Sequence, residues 1–394
     1  MGPLDGIVVL DLSRVLAGPI CTMLLSDLGA NVIKIEAYPG GDDARSNPPF
    51  VEGESSYFMS LNRGKRSIVI NLKKNEGKEI LLKMVPGADI LVENFRPGTM
   101  EKLGLGYETL KEKNEKIIYC SISGFGQTGP YKDRPAYDII IQAMSGLMSI
   151  NGQPDGPPTR VGTSISDIAA GFCSAVGILS ALHKREKNGK GQQIDVSMLD
   201  CTVYSLENAI ARYFANGVNP GRIGNRHSVC TPFDIFPTKD GTIAIAVQNN
   251  TLWERFCKGI GAENLIKDPR FETNASRTAN EKELKSLIVQ LLSDKTTDRW
   301  IDLLIANGVP CGPINSIADV VTDPHILEHE MIVKVRNKKA GEIKITGVPM
   351  KFSDTKCAIT TGPPILGEHT DEILTEMGFT LDEINLFKSS TVVA

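Results

Sequence analysis

Between Thr159 and Arg185 the chain reads TRVGTSISDIAAGFCSAVGILSALHKR, and Asp167 is the one acid in that stretch. Two kinds of chemistry suit it. Ser164-Ile165-Ser166-Asp167 fits the Ser-x-x-Asp capping pattern, in which the acid bonds back to the backbone of the cap residue. An acid in a first helical turn also gains roughly 0.3–1 kcal/mol from the helix dipole. The same dipole would keep the carboxylate ionised and able to attack an acyl group. The local pattern serves both readings, so the rest of the chain must separate them.

The element that positions Asp167 is a helix. Thr163, Ser164 and Ser166 mark its start, and Ile168, Phe172, Val176, Leu179 and Leu182 recur at helical spacing as one apolar face. Gly162 and the small residues Ala169, Ala170, Gly171, Ser174, Ala175 and Gly177 would let another backbone or a ligand approach closely.

Around that helix the chain predicts an α/β fold. Residues 6–12, a helix through Leu28 and residues 31–36 make a strand–helix–strand unit, hence a parallel sheet. Further strands are expected at 67–72, 89–93, 116–122 and 193–197, with helices at 76–85, 137–150 and from 200 to about 216. Asn94-Phe95-Arg96-Pro97-Gly98 lies at the carboxyl end of a strand, where open α/β sheets bind ligands. The turn after the first strand lacks a G-x-G-x-x-G fingerprint. Gly124–Gly129 does match that pattern, but Pro130 follows and no helix opens on it, so it reads as a glycine loop. From 217 the composition becomes linker-like, and 233–247 should form two short strands around Lys239-Asp240-Gly241. Helices follow at 251–260, 280–293 and 297–307. The expected division is a large domain over 1–216, a linker at 217–225, a smaller α+β domain over 226–325, and a return to the large domain over 326–394.

Composition narrows the function. The 394 residues can bury a sizeable core and should hold about two domains. A net charge of −4 argues against a general nucleic-acid binder. No run of 18 apolar residues predicts a membrane span. Eight scattered cysteines without a C-x-x-C pair, and five dispersed histidines, give no metal site and fit a reduced, cytoplasmic protein.

Taken together, the motifs resemble class III coenzyme A transferases, the group that includes formyl-CoA:oxalate and carnitine CoA-transferases. The likeness is carried by PLDGIVVLDLSRVLAGP at 3–19, GANVIKIE at 29–36, KRSI at 65–68 and VENFRPG at 92–98. It continues through DGPPT at 155–159, GQQIDVSMLD at 191–200, GVPCGP at 308–313 and LGEHTDEIL at 366–374. Each motif is weak alone; their order along nearly the whole chain is specific.

The resemblance implies that Asp167, at the start of a helix after the DGPPT loop, is a catalytic nucleophile. It would form an acyl mixed anhydride and then an aspartyl-CoA thioester. Coenzyme A and its thioesters enter as substrates, with no tightly bound cofactor. The family's CoA contacts fall on Val15 and Leu16 beside the thiol end, on Ile70 and Lys73 near the adenine and phosphates, and on Asn94, Phe95, Lys102, Tyr137 and Met198. Where the formyl-CoA enzyme has a glutamine this chain has Leu16, which implies a different acid. A CoA-contacting arginine of that enzyme corresponds to Ala37, and its small-domain glycine-rich loop has no counterpart around 226–250. The family also implies a Rossmann-like large domain and a ring-shaped monomer that interlocks as a homodimer. Rival readings are an α-methylacyl-CoA racemase, which would need a histidine where Tyr137 stands, a nicotinamide oxidoreductase resting on 124–129, and a silent CoA-binding protein.

Overall fold

Parallel strands covered on both faces are written as nearly unbroken apolar runs, and, with buried polar exceptions such as Asp11, Lys34 and Lys65, the strands of the main sheet of this protein approach that pattern. In the computed structural model, which describes residues 2–355, 357 and 359–394, they are β1 (Val8–Asp11), β2 (Asn31–Ala37), β3 (Lys65–Ile70), β4 (Ile90–Glu93), β5 (Ile118–Ser123) and β6 (Gln193–Ser197). Their order is β3-β2-β1-β4-β5-β6, and every neighbouring pair is parallel. The chain moves outward from β1 to β3 and then returns to the other side of β1. The carboxyl ends of β1 and β4 therefore flank the point where the order reverses, the usual ligand crevice of such sheets. The expected α/β class with a parallel sheet is what the chain forms.

The helices that matter for the site are α1 (Ala17–Asp27), α2 (Asn75–Met84), α3 (Asp138–Met144), α4 (Ile165–Asn188) and α5 (Met198–Tyr204). On one face of the sheet Val9, Val32, Ile90, Ile118 and Cys120 pack with Cys21 and Leu25 of α1 and Ala170, Ala175 and Ile178 of α4. On the other face Leu10, Ile33, Ile68 and Leu91 pack with Ile80 and Leu81 of α2 and with Ile373, Leu374 and Ile384 near the C-terminus.

The C-terminal segment also covers the outer edge of β3. Gly64 N–H donates to the Thr361 carbonyl at 3.1 Å and His369 N–H to the Ser67 carbonyl at 2.9 Å. Asn71 N–H donates to the Val392 carbonyl at 2.8 Å, and Ile70 bridges Val393. Backbone groups that an edge strand would leave open are thus paired.

Three local expectations are corrected. The apolar face expected on α4 is buried at Leu182 and half-buried at Ile168, but Phe172, Val176 and Leu179 are 48%, 64% and 36% exposed. The buried face carries Ser166, Ala170, Gly171, Ser174, Ala175, Ile178, Ala181 and Leu182. Close approach explains this, because a Cβ on Gly171 would stand 2.1 Å from Ile20 Cγ2 and 2.9 Å from the Ala17 carbonyl oxygen. The helix expected over 137–150 breaks at Gly146, which has φ +92°. The one expected up to 216 breaks before Asn208, where Glu207 takes φ 53°. By length and composition the 24-residue α4 could cross a membrane, although it holds no unbroken run of 18 apolar residues; its small-residue face is packed as a core helix is.

The chain divides into two compact units, one of 1–147, 161–211 and 324–394 and the other of 148–160 and 212–323. Residues 148–160, assigned from sequence to the large domain, group with the second unit, where Gly224 N–H donates to the Gly152 carbonyl at 3.0 Å. That unit is built on the antiparallel strands β7 (Phe233–Pro237), β8 (Thr242–Ala246) and β9 (Cys311–Pro313), with β8 in the middle. Its own core includes Trp253, Phe256, Leu284, Ile288 and Trp300.

Candidate active site

Asp167 occupies the first turn of α4, but it does not cap the helix. Ser164, at the N-cap, makes no side-chain cap hydrogen bond. The helix is capped from elsewhere in the chain: Asp138, at the start of α3, accepts the Ser166 N–H at 3.0 Å and a hydrogen bond from Gln142 Nε2 at 2.7 Å. Gln142 in turn accepts the Val161 N–H at 2.9 Å. With this work done by Asp138 and Gln142, the Asp167 carboxylate is left for the backbone N–H of Ala17, the first residue of α1.

Its electrostatics also differ from the sequence expectation of a carboxylate kept ionised by the helix dipole. Burial, and after it the negative charge of Asp138, push the Asp167 carboxyl up to about 7, against the opposing pull of the Ala17 N–H. Tyr57 shares this environment. Its phenol is pushed up to about 12 by burial and by the carboxylates of Asp167, Asp42 and Asp138.

The other wall is the loop between β1 and α1. Ser13 N–H donates to Asp11 Oδ1 at 2.9 Å, and Asn94 accepts the Arg14 N–H and donates to the Arg14 carbonyl, both at 2.8 Å. Val15 N–H donates to Asp42 Oδ1 at 2.9 Å. Beneath the loop lies a buried ionic cluster. Lys34 Nζ is 2.9 Å from Asp42 Oδ2 and donates to the Ser13 carbonyl at 2.9 Å, while Lys65 Nζ is 3.0 Å from Asp11 Oδ2. Burial would raise the Asp11 carboxyl, but Lys65, Lys34 and the hydroxyls of Ser13 and Thr22 together hold it well below the usual range. Burial brings Lys65 down to about 8 despite Asp11. Gly18 has to be glycine for the loop to fold back on α1, since a Cβ there would lie 2.1 Å from Ser13 Cβ.

The remaining residues expected from sequence lie at or near strand carboxyl ends. Val15 and Leu16 sit in the β1–α1 loop, and Asn94 ties that loop to β4 across the reversal point. Phe95 N–H donates to Glu93 Oε2 at 2.8 Å, and the Arg14 guanidinium lies 5.1 Å from the Phe95 ring centre. Lys73 and Lys102 are exposed cations after β3 and β4. Tyr137 is 78% exposed, whereas the Ile70 and Met198 side chains are buried in the two cores. The Gly124–Gly129 loop follows β5, and two of its N–H groups are already used: Gly126 donates to Ser123 Oγ at 3.0 Å and Gln127 to Asp195 Oδ2 at 2.9 Å. Sequence reasoning missed Asp138, Tyr57, Arg14, Lys34 and Asp42. For Asp138 a signal existed, an acid opening the next helix upstream; Asp42 lay hidden in a polar loop.

A doubly wound sheet with a carboxylate set between two helix N-termini, beside the crevice at its reversal point, suits an enzyme that takes an acyl group onto an aspartate. The comparisons name that class: a model of CoA-transferase family III matches residues 4–370, and the chain belongs to that family. It is 47% identical to the acetyl-CoA:oxalate CoA-transferase of Acetobacter aceti, over 89% of this chain and 90% of that protein. It is 43% identical to the succinyl-CoA:mesaconate CoA-transferase of Haloarcula marismortui, over 96% of this chain and 97% of that one. Its structure is similar to that of a CAIB/BAIF family protein from Brucella suis, with a TM-score of 0.85 and 40% identity over 95% and 99% of the two chains. The activity is therefore that of an acyl-CoA:carboxylate CoA-transferase, acting on CoA thioesters as substrates.

Proposed function

We propose that Asp167 carries the transferred groups, moving coenzyme A from a small acyl-CoA to a dicarboxylic acid. The observation that carries this reading is the division of labour at α4: Asp138 takes the capping hydrogen bond and leaves the Asp167 carboxylate facing the N-terminus of α1. A carboxylate oxygen of Asp167 attacks the donor thioester carbonyl, the C–S bond breaks, and CoA leaves as the thiolate with an aspartyl anhydride behind it. The thiolate then attacks the aspartyl carbonyl, releasing the donor acid and leaving an aspartyl-CoA thioester. The acceptor carboxylate displaces the thiolate from that thioester, and the thiolate takes the acceptor acyl group from the second anhydride. Asp167 is regenerated.

Negative charge develops on the attacked carbonyl oxygens. The Ala17 N–H and the positive end of the 11-residue α1 are aimed at that region. Gly126 and Gln127 already donate to Ser123 and Asp195, so this reading gives them no oxyanion role. Val15, Leu16, Asn94 and Phe95 would line the path of the thiol end, with Lys73 and Lys102 offering charge to the phosphates and the exposed Tyr137 along the same route, while Ile70 and Met198, buried in the cores, would shape it from beneath. Acetyl-CoA or succinyl-CoA as donor, and a dicarboxylate as acceptor, follow the similar enzymes. The exposed Phe172, Val176 and Leu179 of α4 and Tyr204 of α5 support burial against a second copy, as an interlocked homodimer requires. Eight free thiols support a reduced, cytoplasmic setting.

Intact mass after incubation with each donor, with hydroxylamine trapping, tests the reading on wild type and Asp167→Ala. An adduct on wild type from acetyl-CoA or succinyl-CoA, absent from the variant, is the expected result. No adduct from any donor, joined to exchange of the donor's α-proton with deuterated solvent, would replace it with racemase chemistry.

A further inference from the structure

Val15 has φ 66°, in the left-handed region. A β-branched side chain rarely adopts that conformation, and one that does must be over-determined by its surroundings. Here the surroundings are side chains from separate strands and loops. Asp11 and Lys34 hold Ser13, Asn94 holds both backbone polar groups of Arg14, and Asp42 accepts the Val15 N–H. Asp42 is itself fixed. One of its oxygens is 2.9 Å from Lys34 Nζ, both side chains being 1% exposed, and the other also accepts the Ala44 N–H at 2.9 Å. Its own N–H donates to Glu36 Oε2, which Arg45 Nε engages at 2.7 Å. Two residues beyond Val15 lies Ala17, whose N–H meets Asp167.

We propose that Asp42, locked by Lys34, is a positioning residue: it holds Val15 in the left-handed conformation and so aims the Ala17 N–H at Asp167. The proposal rests on Asp167 as the reacting carboxylate, but the geometry it claims does not depend on turnover. The Asp42–Lys34 pair is buried beneath the loop, both side chains 1% exposed. Its effect reaches the reaction only through the backbone of residues 13–17.

Asp42→Ala tests this directly, and Lys34→Met/Asp42→Leu tests it without leaving an unpaired buried charge, the usual reason such variants fail to fold. Each is then combined with Val15→Gly, because glycine takes positive φ without steric penalty. The readout is protonation of Asp167, followed by carbodiimide labelling against pH and located by peptide mass, beside kcat. Other groups near Asp167, namely Asp138 on α3 and Tyr57, are unchanged in these variants, so a shift reports the loop and the Asp42 charge. Losing that charge would by itself lower the Asp167 midpoint, whereas losing the aimed N–H raises it. The expected result is a labelling midpoint moved to higher pH, a kcat at least tenfold lower, and recovery of threefold or more on adding Val15→Gly. Folded variants with an unmoved or lowered midpoint, or no recovery with glycine, overturn the inference even where wild type forms its adduct. A moved midpoint in a protein that forms no adduct overturns the catalytic reading and leaves the clamp standing.

Discussion

The Asp167 carboxyl, pushed up to about 7 by burial and Asp138, costs the fold stability when it ionises. In the unfolded chain the same group titrates near 3.9, so between about pH 4 and pH 7 the native state holds the extra proton. Stability contributed by the neutral acid is therefore full at low pH and lost as pH rises through about 7. Asp167→Asn carries no such loss. It should melt above wild type at pH 8, by at most about 4 kcal/mol of stability, with the gain shrinking toward pH 5. Differential scanning calorimetry across that range checks it, and a gain independent of pH would show that the carboxyl is not buried as described. A capping acid would show the opposite trend, because the helix N-terminus stabilises its ionised form.

At the scale of elements, the contact between α1 and α4 sets where Asp167 meets Ala17. Gly171→Ala would press a methyl group against Ile20 and the Ala17 carbonyl, at a cost of roughly 1–3 kcal/mol for overpacking. It should lower the melting temperature and reduce kcat more than it changes KM for the acyl-CoA; wild-type kcat would mean the two helices adjust freely. This contact also marks where the sequence was legible. The strands could be read from runs such as GIVVLDL and NVIKIE, because parallel strands buried on both faces need only apolar residues. The buried face of α4 could not, because close helix contact selects small residues while the larger Phe172 and Val176 remain outside. Asp167 was found through motif order and not through its local pattern, which suited a cap equally well. Asp138 caps α4 from 28 residues away, a distance over which no spacing rule operates. Asp42 and Lys34 look from sequence like ordinary surface polar residues, and only the fold buries them together.

At the scale of the whole molecule, the apolar stripe left outside on α4 is the feature most in need of a partner. On the proposed homodimer reading, Val176→Glu, at a side chain 64% exposed, should fold normally and be monomeric in light scattering at micromolar concentration where wild type is dimeric. A variant that remains dimeric would place the subunit contact elsewhere. The seam along β3 has a consequence of another kind. The strand is made before residue 71 has left the ribosome, yet the segments that close its edge, at Thr361, His369 and Val392–Val393, are synthesised long after it. While the residues between them are synthesised, the nascent sheet therefore carries an open side along β3.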